Sequence, residues 1–584
     1  MNRSEPRADI PEEGAVMRAL ESVVFRVLDR KARRLGAEFA AAAARPEATQ
    51  SALLLSILRR EQQSSFGRDH RFDQIRTVDE YRQNVPVAGY EYFAPYVDRV
   101  FQGETSALFH RQKLVMFAMT SGTSAARKLV PITKNYIATY RKGWLLWALQ
   151  TYEGRQELIF KHKFNLGGDD DEFRSPAGVP CGSISGMISR MQNRLIRRGY
   201  CLPLAANKLK DVHAKYYLAW RVGLTRDVGS WMSPNPSTHL ALARFGDAHQ
   251  EQLVRDVRDG TLSAGFHYPK AVLREVRRDL RADPRRAREL DAIVSRTGHL
   301  YPKDVWPNFR MVGCWLGGPL TAYLRFFPEY FGDVPKRDLG LMASECRMTI
   351  PLADDSPAGM LDLLGSFFEF IPVDERESGN PTVLLPHELV EGRDYYILLT
   401  TSSGLYRYDI HDVVRCVGFE GRTPLIEFLH KGKHFSNLTG EKLSEIQVSR
   451  AVDAACERLR LRLGSYALAP CFEEDVPYYG LFVELDDLPG AWVGQGLASR
   501  LDAELRSANC EYDAKRTSLR LGAVRLRPLA SGAWADFDRQ RIRQTGAVAE
   551  QYKRPRLFAD LDFAASLRTS DELLPMHETL PAAG

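Results

Sequence analysis

The sequence lacks the short signatures by which several common enzyme classes are identified. It contains no GxxxxGK[ST] phosphate loop, no GxGxxG dinucleotide fingerprint and no HExxH zinc pair. It also has no GxSxG nucleophile elbow, since Gly182–Gly186 reads GSISG with isoleucine where the nucleophilic serine would stand. These absences exclude the P-loop, dinucleotide-binding, zinc-peptidase and serine-hydrolase classes that those motifs define.

Cysteine pairs and long apolar runs are also missing. None of the 8 cysteines forms a CxxC pair, and no short framework of the disulfide-rich secreted type is present. The N-terminus, MNRSEPRADIPEEG, has no apolar core of the kind a signal peptide needs. Uncharged runs such as Met311–Leu324 are shorter than the roughly 20 residues that cross a bilayer. We therefore expect reduced thiols, a cytoplasmic location and no membrane insertion.

The charge balance gives no reason to expect a nucleic-acid partner. The chain has 80 basic and 74 acidic residues, a surplus of +6 that is spread over 584 positions. We expect no nucleic-acid partner, and separately we expect a monomer or a weak dimer.

Length and periodicity predict a large body with at least one smaller domain. Amphipathic helices are predicted at about Gln50–Gln62 and Tyr136–Tyr152, and short apolar strands at Phe367–Ile371, Tyr395–Thr400 and Val413–Gly418. After the strand LIEFL the sequence runs into His430, Lys431, Gly432, Lys433 and His434. Because charge with glycine suits a hinge, we divide the chain into residues 1–429 and 430–584.

The segment Thr120–Lys128, TSGTSAARK, follows a strand-like run from Leu114 to Met119. Hydroxyls, backbone N–H groups and cations gathered in one turn are suited to binding a polyphosphate. A polar surface turn with ordinary Ser and Thr backbone bonds is the alternative.

Two later segments place carboxylates in apolar surroundings. Glu345 lies within LGLMASECRMTIPL, where it would need a magnesium ion or another cation, or an ion pair with Arg347. Asp412 lies in TTSSGLYRYDIHDVVRCVGF, and an acidic residue there is suited to ribose hydroxyls. The alternative for that strand is a set of acids paired with Arg407 and Arg415.

These three segments resemble those of the acyl-acid amido synthetases, also called the Gretchen Hagen three or auxin-responsive family, within the adenylate-forming superfamily. Thr120–Lys128 is similar to SSGTSxGxxK with one residue fewer, Leu341–Glu345 to YxSSE, and Tyr408–Val413 to YRVGDV. Further similar stretches begin at Tyr90 (YEYFAPYVDRVFQGE), Phe367 (FFEFIP), Asn437 (NLTGEKLSE) and Glu550 (EQYKRPR).

The resemblance implies an α/β fold with a large N-terminal domain of mixed sheets flanked by helices and a smaller, mobile α+β C-terminal domain. It implies ATP and Mg²⁺ as cofactors. The residues that it places at the ATP phosphates are Thr120, Ser121, Gly122, Thr123, Ser124 and Lys128. Those assigned to the rest of the nucleotide are Ala343, Ser344, Tyr408, Asp412, Arg415 and Lys431. Glu345 would bind the metal ion. Lys553 would be the mobile C-terminal lysine that neutralises charge during adenylation.

Several positions depart from the family pattern. Ala126 stands where glycine is usual, Leu341 where tyrosine is usual, and Lys431 where an arginine commonly follows the strand. Asp409 and His411 replace the arginine and glycine of the third motif. These differences indicate a divergent member whose acid need not be a plant hormone.

The function that the resemblance implies is activation of a carboxylic acid as its acyl-adenylate, followed by amide formation with an amine such as an amino acid. Two alternatives stay open at this point. The acceptor could be a thiol, either coenzyme A or a carrier protein, or the chain could be a catalytically silent nucleotide-binding regulator. Trp144, Trp147, Met187 and Trp315 are candidates for the lining of an acyl pocket, although such residues are more often simple core.

Overall fold

The structure, a computed structural model, describes residues 30–120, 128–192, 194–432, 435–461, 463–473, 476–488, 491–545 and 554–567. Within these ranges several separate sheets are flanked by helices, so the expected α/β fold class is confirmed. No helix in the described ranges is both long and apolar enough to cross a membrane.

Helices predominate before the central sheet. Both predicted helices are confirmed: the first spans Pro46–Glu61 and starts with proline, and the second spans Lys134–Tyr152, where the Thr133 hydroxyl accepts the Tyr136 N–H. The α-helices are α1 (described over residues 30–43), α2 (Pro46–Glu61), α3 (Ser65–Asp69), α4 (Val78–Asn84), α5 (Tyr90–Phe101), α6 (Lys134–Tyr152), α7 (Ile184–Met191), α8 (Arg194–Arg198), α9 (Val212–Gly223), α10 (Pro236–Ala248), α11 (Gln250–Asp259), α12 (Lys270–Val276), α13 (Pro284–Thr297), α14 (Pro302–Val305), α15 (Phe327–Phe331), α16 (Glu445–Leu459), α17 (Ala491–Ala508), α18 (Cys510–Thr517) and α19 (Ala533–Thr545).

The N-terminal region contains two four-stranded sheets. Their strands are β1 (Leu114–Thr120), β2 (Lys128–Thr133), β3 (His162–Asn165), β4 (Phe173–Arg174), β5 (Pro180–Gly182), β6 (Val228–Met232), β7 (Met311–Gly313) and β8 (Lys336–Arg337). One sheet has the order β2-β1-β5-β4 and the other, which is parallel, β3-β6-β7-β8. In the first sheet Thr120 pairs directly with Lys128, so both ends of the predicted phosphate loop lie side by side.

A six-stranded antiparallel sheet follows. Its strands are β9 (Thr349–Pro351), β10 (Gly359–Leu361), β11 (Phe367–Pro372), β12 (Asp394–Thr400), β13 (Tyr408–Glu420) and β14 (Thr423–Lys431), in the order β11-β12-β13-β14-β10-β9. The three predicted strands are thereby confirmed as β11, β12 and part of β13. Their buried aromatic and β-branched side chains pack against α2 and α5, which fixes the sheet against the N-terminal helices.

The C-terminal region forms a smaller α/β unit. Its strands are β15 (Phe435–Ser436), β16 (Leu443–Ser444), β17 (Tyr466–Cys471), β18 (Tyr478–Glu484) and β19 (Arg525–Leu529), and the last three form one sheet. Apolar residues of α16 and α17 pack on that sheet in a hydrophobic cluster distinct from those of the N-terminal region. The C-terminal region therefore has a core of its own.

Candidate active site

A cavity of about 940 Å³ lies between the central sheet, α6, α7 and the first residues of the C-terminal region. One end is lined by charged side chains: Lys128, Glu345, Asp412, Lys431 and Lys442. The rest is lined mainly by aromatic and aliphatic side chains of α6 and α7. A pocket of this size is at the upper end of the range for small-molecule sites.

Lys128 is held at the charged end by the start of β2. Its side chain is 9% exposed, and Nζ lies 5.3 Å from the centre of the Tyr90 ring. Burial lowers the pKa of Lys128. The charges of Glu91 and Glu345 oppose that shift, whereas Lys431 and Lys442 add to it. The ammonium group thus lies within the field of both carboxylates and cations.

Six of the positions singled out in the sequence lie outside the described residues. They are Ser121, Gly122, Thr123, Ser124, Ala126 and Lys553, and Lys433 and His434 of the predicted hinge also lie outside them. Thr120 is the last residue of β1, and only its backbone is described.

Glu345 lies in a tight turn between β8 and β9. The turn is closed by a hydrogen bond of 2.9 Å from the Ala343 N–H to the Cys346 carbonyl, and the Tyr136 hydroxyl donates to the Ser344 carbonyl at 2.9 Å. Glu345 is 6% exposed, and Ala343 and Ser344 also line the cavity. The structure therefore brings the second motif to the charged end.

Arg347 does not take up the alternative role of ion-pair partner to Glu345. Its Nη1 donates to the carbonyls of Leu339 and Thr349, at 2.7 and 3.2 Å, and its guanidinium lies 4.4 Å from the centre of the Trp144 ring. Arg347 therefore packs against Trp144 of the cavity wall, and Glu345 lines the cavity without an ion pair to that arginine.

Asp412 and Lys431 face each other across β13 and β14. They are partners in the ladder, and Lys431 Nζ donates to Asp412 Oδ1 at 2.9 Å and to the Ile410 carbonyl at 2.7 Å. Burial raises the pKa of Tyr408, and the carboxylates of Glu345 and Asp412 reinforce that rise. Tyr408, Asp412 and Lys431 are thus brought together with Glu345.

His411 precedes Asp412 in an unusual backbone conformation. Its φ is 62°, in the left-handed region that favours glycine, which is the residue the family pattern has at this position. The Asp409 carboxylate accepts the His411 N–H at 2.8 Å and lies 3.2 Å from Nδ1. Burial alone would raise the pKa of Asp409, but the contacts with His411 and the charge of Arg376 bring the net shift downward. The two departures, Asp409 and His411, therefore form a pair with each other.

The alternative interpretation of this strand, in which its acids pair with Arg407 and Arg415, is wrong. Arg407 Nε donates to Glu369 at 2.9 Å, and Arg415 makes two bonds, of 2.7 and 3.0 Å, to Asp394 on β12. Arg415 does not line the cavity, so the structure does not bring this predicted nucleotide residue to the site.

The apolar part of the cavity is walled by indole rings. Trp144, Trp147 and Trp315 line it, and two of them are anchored through Nε1, Trp147 to the Asp338 carbonyl at 2.8 Å and Trp315 to the Gly340 carbonyl at 3.0 Å. Met187 is 2% exposed and packs in the core beside α6 instead. Three of the four acyl-pocket candidates are therefore placed at the cavity.

Sequence reasoning assigned no role to several polar residues at the cavity, among them Asn235, Asn437 and Lys442. Asn235 donates through Nδ2 to the Thr439 carbonyl, and both Asn437 and Lys442 line the same wall. Asn437 and Lys442 lie in NLTGEKLSE, a segment that resembles the family, so this resemblance could have identified both residues.

Asp338 gives the cavity wall a pH dependence. It is 4% exposed, and burial raises its pKa to about 7 although the N–H groups of Leu316 and Gly340 donate to it. In the folded state Asp338 therefore keeps a proton that it releases, in the unfolded state, near the ordinary pKa of 3.8. Stability contributed by this residue is present below that value and is lost as the pH rises to about 7.

We expect the substitution Asp338→Asn to remove this dependence of the unfolding free energy on pH. Relative to the variant, the wild type should lose on the order of 2 kcal/mol of unfolding free energy between pH 5 and pH 8. Urea unfolding of both proteins across that range measures the difference, and Asp291→Asn on the exposed face of α13 is the matched control. Parallel stability curves for the wild type and Asp338→Asn would contradict the assignment.

Family models match most of the chain. A model described as the GH3 family N-terminal domain covers residues 36–336, one described as the GH3 family central domain covers residues 359–431, and one described as the GH3 family C-terminal domain covers residues 446–562.

Curated relatives and a solved structure agree with the family models. The chain is 26% identical to an indole-3-acetic acid-amido synthetase of Oryza sativa subsp. indica, over 87% of this chain and 88% of the relative. It is 24% identical to a jasmonoyl-L-amino acid synthetase of Nicotiana attenuata, over 82% and 85%. Its fold matches that of an acyl acid amido synthetase solved in complex with 2,4-DB, with a TM-score of 0.65, 20% identity, and coverage of 93% of this chain and 98% of the other.

Proposed function

Because the chain belongs to the GH3 family, we propose that it is an ATP-dependent ligase that activates a carboxylic acid as its acyl-adenylate and joins the acyl group to an amine. The relatives named as amido synthetases make an amino acid the preferred acceptor. The enzyme would act in the cytoplasm as a monomer or a weak dimer.

The observation that carries this proposal is the division of one cavity into a charged end and an apolar end. Lys128, Lys431 and Lys442 lie at the charged end with the carboxylates of Glu345 and Asp412, and indole rings wall the remainder. A polyphosphate with a ribose suits the first environment, and an acyl group suits the second. The α-phosphorus and the acid's carboxylate would meet where the two ends join.

Adenylation would proceed by attack of the acid's carboxylate oxygen on the α-phosphorus of ATP. A new P–O bond forms, the bond from the α-phosphorus to the bridging oxygen breaks, and pyrophosphate leaves with that oxygen. Negative charge accumulates on the phosphoryl oxygens during this step, and in this proposal the Lys128 ammonium stabilises it. The main catalytic contributions would be positioning and electrostatics.

The donor set at the charged end fits Mg²⁺. Within the described ranges no group of three or more His, Cys, Asp or Glu side chains is gathered as a metal cage. Mg²⁺ is commonly held by one or two carboxylates, with substrate phosphates and water as its other ligands, and Glu345 offers such a carboxylate at the cavity. Bound there, the ion would supply Lewis-acid polarisation of the phosphates.

Amide formation would follow in the same cavity. The amine, once deprotonated, attacks the acyl carbon, the bond from that carbon to the phosphate oxygen breaks, and AMP leaves. His430 and Lys431 belong to β14, so we propose that the chain after β14, residues 432–584, reorients between the two half-reactions and that Lys553 serves the first of them. The Gly432 N–H, at the start of this junction, donates to the His411 carbonyl at 2.7 Å, next to Asp412 on β13.

Acid-dependent exchange of labelled pyrophosphate into ATP tests the first half-reaction. We expect exchange that requires an acid from a panel of aromatic and aliphatic carboxylic acids, and a stable amide product when amino acids are added. Exchange with no acid in the panel would overturn the proposal in favour of a non-catalytic nucleotide-binding protein. A thioester with coenzyme A, in place of an amide, would overturn the assignment of the acceptor.

A further inference from the structure

The apolar part of the cavity runs along α6 from Tyr140 to the last residue of the helix, Tyr152. Tyr140, Trp144, Ala148 and Tyr152 of α6 all line it, at the four-residue spacing that marks one helical face. At about 1.5 Å of rise per residue, the twelve steps from Tyr140 to Tyr152 correspond to roughly 18 Å. The cavity is therefore a long channel beside α6.

The part of the channel formed by α7 is also largely apolar. Ile184, Ile188 and Met191 of α7 line the channel, and Ile159, Ile196 and Tyr200 lie at its far end. The near end carries the charged cluster with Lys128 and Glu345. A ligand that fills this channel would have one charged group at the near end and an apolar body along the whole of α6.

Lys163 lies at the far end beside Tyr152, and its hydrogen bonds are made by the protein itself, whereas Lys31 and Arg33, which also line the cavity, are exposed to solvent. Lys163 Nζ donates to the carbonyls of Leu158 and Ile159, both at 3.1 Å, and lies 5.7 Å from the centre of the Tyr152 ring. Because backbone carbonyls and an aromatic ring stabilise this ammonium, it does not need an anionic group of the ligand. This favours an apolar tail over a second carboxylate.

We propose that the acid is a long-chain aliphatic monocarboxylic acid of about 12–16 carbons, with its carboxylate at Lys128 and its tail beside Tyr152. An extended alkyl chain advances about 1.25 Å per carbon, so roughly 14 carbons span 18 Å. An arylacetic acid would reach only the part of the channel beside Trp144. This proposal rests on the proposed function and specifies its substrate class.

The test is a chain-length series from C6 to C18 in acid-dependent pyrophosphate exchange, with each acid kept below its critical micelle concentration. We expect kcat/KM to rise about fourfold per methylene, which corresponds to about 0.8 kcal/mol for each buried CH₂, up to C12–C16. Indole-3-acetic acid and a C14 dicarboxylic acid should be at least tenfold poorer than the C14 monocarboxylic acid.

Ala148→Phe tests the position of the tail. A phenyl ring at this position closes the channel about 12 Å from Tyr140, so we expect the chain length with the highest kcat/KM to move to about C8–C10. Ala138→Phe is the matched control, because Ala138 is an exposed residue of the same helix that does not line the cavity; its optimum should stay at C12–C16.

Failure of this proposal is distinguishable from failure of the proposed function. Exchange with short or aromatic acids, but no gain with chain length in the wild type, would overturn the long-chain assignment and leave adenylation intact. An unchanged optimum in a folded Ala148→Phe variant would do the same. Absence of exchange with every acid would overturn both.

Discussion

Asp412→Ala is expected to lower kcat/KM for ATP in pyrophosphate exchange about 10²–10³-fold. The wild type should prefer ATP over 2′-deoxy-ATP and 3′-deoxy-ATP, and the variant should lose that preference. The physical reason is that hydrogen bonds from hydroxyls to a carboxylate contribute about 1.5–3 kcal/mol each, and Asp412 is the buried carboxylate on the strand that faces the cavity. Steady-state exchange with the three nucleotides measures both effects.

Asp394→Ala is the matched control for Asp412→Ala. Asp394 also forms an ion pair within the same sheet, with Arg415, but the pair lies away from the cavity lining. Its removal should leave nucleotide selectivity unchanged. An Asp412→Ala variant that still discriminates against the deoxynucleotides would show that the ribose binds elsewhere.

Lys128→Met is expected to lower kcat for adenylation about 10²–10³-fold, with a smaller change in KM for ATP. Removing one preorganised charge from a buried site has an effect of this order when that charge acts on the transition state. Methionine keeps an apolar stem beside Tyr90, so the fold should be retained. Single-turnover formation of the acyl-adenylate separates this chemical step from product release.

Lys134→Met controls for the loss of a lysine in this part of the chain. Lys134 is the exposed first residue of α6, and it should be replaceable with full activity. If Lys128→Met raised KM for ATP without changing kcat, Lys128 would be a ground-state binding residue and its catalytic role would be refuted.

The sequence was informative where local pattern decides the structure. The apolar runs at Phe367–Ile371 and Tyr395–Thr400 predicted two strands correctly, because buried strands are marked by aromatic and β-branched residues. The helix along Tyr136–Tyr152 was also predicted, within two residues of its observed start. The family resemblance then supplied the fold class, which a single pattern could not.

The sequence could not predict which charged side chains pair with each other. Arg415 was assigned to the nucleotide, but its partner Asp394 lies on the neighbouring strand, and the register that joins them is a tertiary property. The alternative pairing of Glu345 with Arg347 failed for the same reason, since Trp144 on α6 lies against the guanidinium instead. The length of the channel could not be predicted from the sequence either, because it depends on how α6 and α7 pack.

The left-handed backbone at His411 restricts which mutations this position can accept. Its side chain is 38% exposed, and by exposure alone almost any residue would be tolerated. With φ at 62°, however, β-branched and bulky residues are strained, while glycine, asparagine and aspartate adopt the conformation most readily. Natural and laboratory variation next to Asp412 is therefore confined to a narrow set of residues, whatever acid or amine the enzyme uses.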